Sequence, residues 1–446
     1  MTTLSTPSQL KPLPETPCRE CGSVLTTDPR FVQWCQSCGW NAHPGATVAK
    51  TRGDRFDRRL NRAAEERLYR RLTVTTGPRP TRGAAWFGAY ALAGLVHLIN
   101  LAVAVSGVTL LTINAWPSRI VGGFLVAVAV LHRPKLGSMR RIRKRSLLLS
   151  RDDAPALYAL ADRIAADLGT APARVICFDQ KHNASYGRVG LRRQPVLTIG
   201  IPLWETLLPQ QRIALLGHEF GHGANGDTTR GLWVGAALRS LDEWYGMLVP
   251  GRRLAPDGRT AAAGLAAVGE LVARVVMFVF AELTLLLHLL LLRVTVLTSR
   301  PAEYLADALA ARVAGTAAAE ELLQSLTLGQ AVEQVRQQRS RQVPGTGIPN
   351  RRRGDAPTAA PPRQDFWTDL REYVASIPES ERARRLRVSE LDDSATDSSH
   401  PPTHLRLAFL RQLPASPPSI TPTTSEIAAI ETELTAVRAA VAAGLE

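Results

Sequence analysis

His218, Glu219 and His222 form an H-E-x-x-H set inside the stretch PQQRIALLGHEFGH. Residues four apart on a helix share a face, so both imidazoles can reach one metal ion while Glu219 is aimed at a water held there. That is the chemistry of metal-assisted hydrolysis, in which a carboxylate takes a proton from an activated water. In a chain of this composition the pattern would arise by chance with a probability of about 0.01. A catalytic zinc takes three protein ligands and a water, so a third donor is required, and Glu303 in SRPAEYLADALA is the best candidate. Glu303 and Asp307 are four apart, so one can bind metal while the other orients a ligand imidazole. Alone, such a pair is usually a solvated helix face. Here it follows an apolar helix and is flanked by alanines.

Cys18, Cys21, Cys35 and Cys38 make a second constellation, two C-x2-C pairs with glycines at Gly22 and Gly39 just after each. Four thiolates fill the coordination sphere of one tetrahedral zinc, which predicts a structural zinc ribbon over residues 18–40, used for local folding or for docking a protein partner. Cys177 is left over in an apolar strand candidate and reads as an inert core thiol.

These residues must be positioned by a regular framework. Pro209 opens the H-E-x-x-H helix, and Gly223 with Asn225-Gly226 closes it. A helix from Ala154 to Leu168 carries Leu157, Leu160, Ala161, Ile164 and Leu168 at helical spacing. Two short strands are predicted at Arg174–Phe178 and Pro195–Ile199, separated by a polar turn region containing Asn183, Ala184 and Ser185. Pro301 is placed to open the helix that carries Glu303. The Gln/Arg/Pro/Gly-rich stretch Gln334–Arg363 reads as a mobile loop, followed by short helices at Asp365–Ser376 and Thr403–Leu413. A Pro/Ser/Thr linker at Pro414–Ser425 and one Ala/Glu-rich helix complete the 414–446 segment, and residues 1–17 read as a flexible lead.

Length and composition set the frame. At roughly 150 residues per domain, 446 residues suggest about three units. A net charge of +15 with 45% hydrophobic and 21% charged residues excludes a wholly disordered chain. Five cysteines are too few for a disulfide scaffold, and MTTLSTPSQLKPLPETP has no apolar core for a cleaved signal peptide, so the front of the chain is expected in a reducing cytosol. Trp86–Leu131 and Val275–Leu297 are largely apolar. Residues 84–132 have room for a transmembrane hairpin of two helices of about 20 residues, with its turn near Ser106 and Gly107. Eleven Lys/Arg in the basic amphipathic segment 50–82 and seven from Arg133 to Arg145 place both flanks of the hairpin in the cytoplasm. The basic runs need no nucleic acid to explain them. Because His222 and Glu303 must meet at one ion, the chain between them crosses the bilayer an even number of times. Val275–Leu297 paired with Gly231–Val249 gives two passes, or a long helix pair beside the membrane gives none.

HEFGHGANGD, then SRPAEYLADALA about eighty residues later, resemble the membrane-bound M48 metallopeptidases, the HtpX-like and CAAX-prenyl-protease-like group. The likeness spans roughly residues 150–413 and includes the Asn183-Ala184 turn and the HPPTHLR segment. It implies a fold that is mainly α with a small β-sheet, a gluzincin-type peptidase domain with transmembrane helices, to which the zinc ribbon is an addition. It implies His218, His222 and Glu303 as zinc ligands, Glu219 as catalytic base, Asp307 and Asp227 as residues behind the ligands, and His400 and Arg406 as residues that stabilise the transition state and organise the site. Asn183 and Ala184 are carried over as substrate-binding, with the strand at Val196–Ile199 expected to be the edge that pairs with an extended peptide.

The leading expectation is therefore a multi-pass membrane metalloendopeptidase with one catalytic and one structural zinc, its N-terminus and catalytic domain cytoplasmic, acting on membrane or misfolded proteins. A catalytically weak membrane scaffold that recruits a partner through its ribbon is the alternative. A nucleic-acid-binding ribbon is disfavoured, since its spacer GSVLTTDPRFVQW carries one Arg and no basic patch with interleaved aromatics.

Overall fold

The computed structural model describes residues 16–25, 28–44, 65–72, 83–131, 137–190, 192–249, 263–342, 365–391 and 400–445. The described residues are mainly helical, with a two-stranded sheet in the ribbon and a separate four-stranded sheet. In the ribbon, β1 (Thr16–Pro17) pairs antiparallel with β2 (Val24–Leu25), so the end of the expected flexible lead is a strand, while residues 1–15 lie outside the described residues. Of the basic segment, residues 65–72 are helical and pack Leu68, Tyr69 and Leu72 on the core. Its other residues, 50–64 and 73–82, lie outside the described residues.

The apolar hairpin consists of α1 (Ala84–Thr112) and α2 (Trp116–Leu131). Its turn is at residues 113–115, not at Ser106 and Gly107, both of which lie inside α1. Gly107 marks a helix contact instead. A Cβ there would stand 2.9 Å from the backbone nitrogen of Val126, and one on Gly122 would stand 2.8 Å from the carbonyl oxygen of Gly107. Small residues in apolar helices let two backbones approach, and that use replaces the turn.

After α3 (Met139–Arg145), the sheet is built from β3 (Leu147–Leu149), β4 (Val175–Asp179), β5 (Ala184–Val189) and β6 (Gln194–Gly200), with α4 (Pro155–Asp167) inserted before β4. The order is β3-β4-β6-β5, with β4 and β6 parallel and the other pairs antiparallel. This corrects the expected edge. Val196–Ile199 lies in β6, bonded on both sides, and the edges are β3 and, beside β6, β5, in the stretch expected to be a turn. β6 lies inside the sheet between β4 and β5 and reads as a hydrophobic run, whereas β5 is paired on one side only and carries polar residues.

Then come α5 (Ile201–Thr206), α6 (Pro209–Ala224), α7 (Asp227–Leu248) and α8 (Ala263–Ala314). At 52 residues, α8 is about 78 Å long at 1.5 Å per residue. Pro301 lies within it rather than at its start. The proline ring removes one backbone donor, yet packing on both sides keeps the helix continuous. The apolar stretch and the Glu303 segment are thereby one rod. The remaining helices are α9 (Thr316–Leu326), α10 (Ala331–Gln342), α11 (Phe366–Ala375), α12 (Glu379–Leu391), α13 (Thr403–Gln412), α14 (Thr424–Glu433) and α15 (Thr435–Leu445).

Two further expectations change here. The first part of the predicted mobile loop, 334–342, is helical within α10, where Arg339 pairs with Asp369; residues 343–364 lie outside the described residues. The 414–425 segment is not a loose linker, because Ile420 N–H donates to the Val313 carbonyl at 3.0 Å and Ser416 N–H to Thr316 Oγ1 at 3.0 Å. The single C-terminal helix is two, both part of the main core through Ile430, Leu434, Val437 and Val441. Glu433 accepts the first backbone N–H groups of α4, from Ala156 at 2.7 Å and Leu157 at 3.0 Å, an anion at a helix N-terminus.

Candidate active site

The main core packs α4, the sheet, α6 and the C-terminal half of α8 together through Leu157, Ile176, Leu197, Leu216, Phe220, Tyr304 and Val313. Within it, α6 and α8 come unusually close. Gly217 and Gly221, four apart, rest on Ala310 and Ala306. A Cβ on Gly221 would sit 3.1 Å from Ala306 Cα, and one on Gly217 would sit 3.2 Å from Ala310 Cα. This glycine-on-alanine seam brings the H-E-x-x-H face to the Glu303 face.

His218 Nε2 is 3.6 Å from Glu303 Oε2, His222 Nε2 is 3.5 Å from Glu303 Oε1, and the ligand atoms of the three residues all lie within 4.8 Å of one another. Metal–ligand bonds of about 2.1 Å in a tetrahedron put ligand atoms about 3.4 Å apart, so two imidazoles and a carboxylate at this spacing suit zinc with one position left over. Asp307 Oδ1 lies 3.1 Å from His218 Nδ1, which directs Nε2 toward Glu303. Behind it, the Arg406 guanidinium from α13 donates to Asp307 twice, at 2.8 Å from Nε and 2.6 Å from Nη2.

The electrostatics follow from this nesting. Burial by itself would raise the Asp307 pKa, but Arg406 and then His218 hold it well below the ordinary carboxylate value. Burial would likewise lower Arg406, and the Asp307 charge raises it instead. For Glu303 burial is opposed by the His400 hydrogen bond, His222, Arg406 and His218, which bring it to about 2. The carboxylates are therefore charged and ready to act as ligands and acceptors.

Glu219 is buried beside the ligands, and its Oε2 accepts the Tyr186 backbone N–H at 2.9 Å. An edge-strand amide thus orients the expected base. Nothing in the sequence marks Tyr186 for this, since the contact uses only its backbone. Asn183 and Ala184 stand where β5 begins, the Asn183 carbonyl accepting Gly200 N–H at 2.8 Å. They share with His218, Glu219 and His400 a cleft of about 800 Å³.

His400 Nδ1 is 2.6 Å from Glu303 Oε2, so in this structure it braces the candidate ligand. Arg406 is buried behind Asp307 and touches His218 Nδ1 only at 3.5 Å. Its contacts are thus to the residue behind His218, and it also reaches the lining of the cleft. Asp227 is at the first position of α7, but its side chain lies outside the described residues. Cys177 is buried in β4, where loss of water pushes its thiol pKa up, in keeping with a core thiol.

The four ribbon thiols also converge. Cys18 and Cys38 Sγ are 3.7 Å apart, Cys21 and Cys35 Sγ are 3.6 Å apart, and all four lie within 4.8 Å of one another. Zinc–sulfur bonds of about 2.3 Å place sulfurs about 3.8 Å apart in a tetrahedron, so the set fits that ion. Gly22 (φ 73°) and Gly39 (φ 76°) supply the left-handed turn that closes each knuckle.

The model of peptidase family M48 matches residues 155–413, more than half of the chain. The chain belongs to peptidase family M48 and with it to the metallopeptidases. Comparison with curated proteins and with solved structures returned no match.

Proposed function

We propose that this chain is an integral-membrane zinc endopeptidase that hydrolyses peptide bonds of membrane or misfolded proteins from the cytoplasmic side. The observation that carries this reading is the meeting of His218, His222 and Glu303 beside a Glu219 already oriented by the β5 edge. Zinc held by those three residues would supply a Lewis acid for the scissile carbonyl and a water of lowered pKa. Glu219 then takes the proton of the attacking water and passes it to the leaving amine. Asp307 keeps the His218 ring in the tautomer that offers Nε2 as a ligand, and Arg406 keeps Asp307 charged. His400, on the wall of the cleft, is our candidate for the donor to the oxyanion, from the nitrogen opposite the one on Glu303. An extended peptide adds to the β5 edge at Asn183 and Ala184, so main-chain pairing carries affinity and side-chain demands are modest.

Two helical segments, Ala84–Thr112 and Gly269–Ala314, are long and apolar enough to cross a membrane, and only 17% and 11% of their apolar windows are buried inside the protein. That exposure supports lipid contact. Helix α7 packs along α1 and α8 through Val234, Ala237 and Leu241 against Ala89, Ala93 and Leu291, which supports a two-pass α7–α8 hairpin that returns Glu303 to the side of His222. The basic flanks favour a cytoplasmic N-terminus and catalytic domain.

The test is zinc content of detergent-purified protein, wild type beside His218→Ala and Cys18→Ser/Cys21→Ser, with casein cleavage. Two zincs in wild type, one lost by each variant, and cleavage that disappears in Glu219→Gln are expected. A single zinc that survives His218→Ala, with no cleavage by wild type, would sink the reading and favour the scaffold.

A further inference from the structure

The ribbon is docked on its own peptidase domain. Arg30 donates to Ser376 through Nη1 to Oγ and Nη2 to the carbonyl, each at 2.9 Å. Trp34, buried, donates from Nε1 to the Ser380 carbonyl at 3.0 Å. From α12, Arg384 donates to the Ala42 carbonyl at 2.8 Å while Glu381 holds the same guanidinium at 2.6 Å and 2.9 Å. Arg30, Trp34 and the Ala42 carbonyl are thus engaged within this chain.

The docking has a consequence for the cleft. Between Cys38 and His43 the backbone is closed by Gly39 N–H to Cys35 O at 2.8 Å and Ala42 N–H to Gly39 O at 3.2 Å. Asn41 adopts φ 57° and ties its side chain to the Gln33 carbonyl at 2.7 Å. The metal knuckle therefore dictates where the next residues go, and His43 and Pro44 go into the lining of the cleft that holds Glu219, Asn183 and His400. Arg384 and Arg385 of α12 line it too.

We propose that the ribbon acts in cis as a wall of the substrate cleft, with the four-cysteine zinc as its brace and His43 and Pro44 as specificity-determining contacts to the bound peptide. This rests on the peptidase reading, which it deepens. The ribbon lies outside the residues matched by the family model, so it distinguishes the substrate selection of this chain from that of the shared domain. A side-chain wall of this kind adds selectivity to a cleft whose edge strand reads only the main chain.

The experiment uses the full chain in detergent with zinc, as wild type, Cys18→Ser/Cys21→Ser, Trp34→Ala, His43→Ala and Pro44→Ala. Each is measured by amide hydrogen exchange over residues 376–391 and by mass-spectrometric profiling of cleavage sites in a peptide library, with KM and kcat for one cleaved peptide. The cysteine and Trp34 variants are expected to lose protection over 376–391 and to raise KM several-fold with kcat little changed. The His43 and Pro44 variants, in which the ribbon fold is untouched, are expected to keep protection and shift the cleavage profile. An active wild type whose ribbon variants keep its exchange, KM and profile would overturn the proposal. A wild type that cleaves nothing sinks the peptidase reading and the specificity role with it, while the exchange data, which need no turnover, still decide whether the ribbon is docked.

Discussion

The thiols of the ribbon are at most 20 positions apart in the chain, and each pair is shaped by its own glycine turn. In the peptidase centre, Arg406 and His218 are 188 positions apart, the ligands come from two helices, α6 and α8, and the arginine behind them comes from a third, α13. One centre is a local motif that needs little beyond itself and a metal; the other is a product of packing. The difference predicts which substitutions stay contained and which spread. A defect in the ribbon is felt at its docking face, whereas a defect behind His218 is felt by the core and by the chemistry together.

The largest effect tests the chemistry alone. Glu219→Gln keeps its hydrogen-bond acceptor oxygen and its size, so kcat on casein-derived peptides should fall by about 10²–10⁴-fold with zinc content unchanged. Next is the support behind the ligand. Arg406→Ala leaves the buried Asp307 carboxylate with the His218 ring in place of its charged partner, which should cost about 3–5 kcal/mol in denaturant unfolding and release zinc from the histidine site before the ribbon. The seam between the helices comes third. Gly221→Val forces α6 away from Ala306 and should cost about 1–3 kcal/mol, with weakened zinc binding in titrations and intact ribbon stoichiometry. Cys18→Ser, by contrast, should lose one zinc while the thermal transition of the peptidase core moves little; an equal loss of core stability would erase the contrast drawn here.

The smallest effect is a pH dependence at the docking face. Burial would raise the Glu381 pKa, but Arg384 and Arg385 hold it below its ordinary value. A depressed carboxylate contributes stability above its unfolded pKa of about 4.3 and loses it as pH falls through the folded value. Ribbon docking, followed by exchange over 376–391, should therefore weaken as pH falls below about 4, and Glu381→Gln should flatten that dependence. A wild-type profile that strengthens with acid would contradict the assignment of Arg384 as the bridge.

Much of the site was legible because its signals are short-range. The histidines of H-E-x-x-H, the glycine turns of the knuckles and the Glu303/Asp307 spacing each depend on one turn of helix or loop. The edge strand was not legible. Ala184–Val189 carries Ser185, Gly187 and Arg188 and so has the composition of a turn, while the apolar β6 beside it has that of the exposed partner. Ser106-Gly107 and Pro301 misled for a related reason. Glycine and proline break an isolated helix, but neighbouring helices that need a close approach, or that hold a long rod on both sides, keep it whole.

By itself the sequence determined which side chains can bind metal, which carboxylate stands beside them, and where long apolar helices lie, since all of these follow from residue type and local periodicity. Only the tertiary structure decided that Arg406 works through Asp307, that a backbone amide of Tyr186 orients Glu219, and that the ribbon closes onto α12 beside the cleft. Those are contacts between segments distant in the chain. They arise from the shape complementarity of packed helices, to which no local pattern is sensitive.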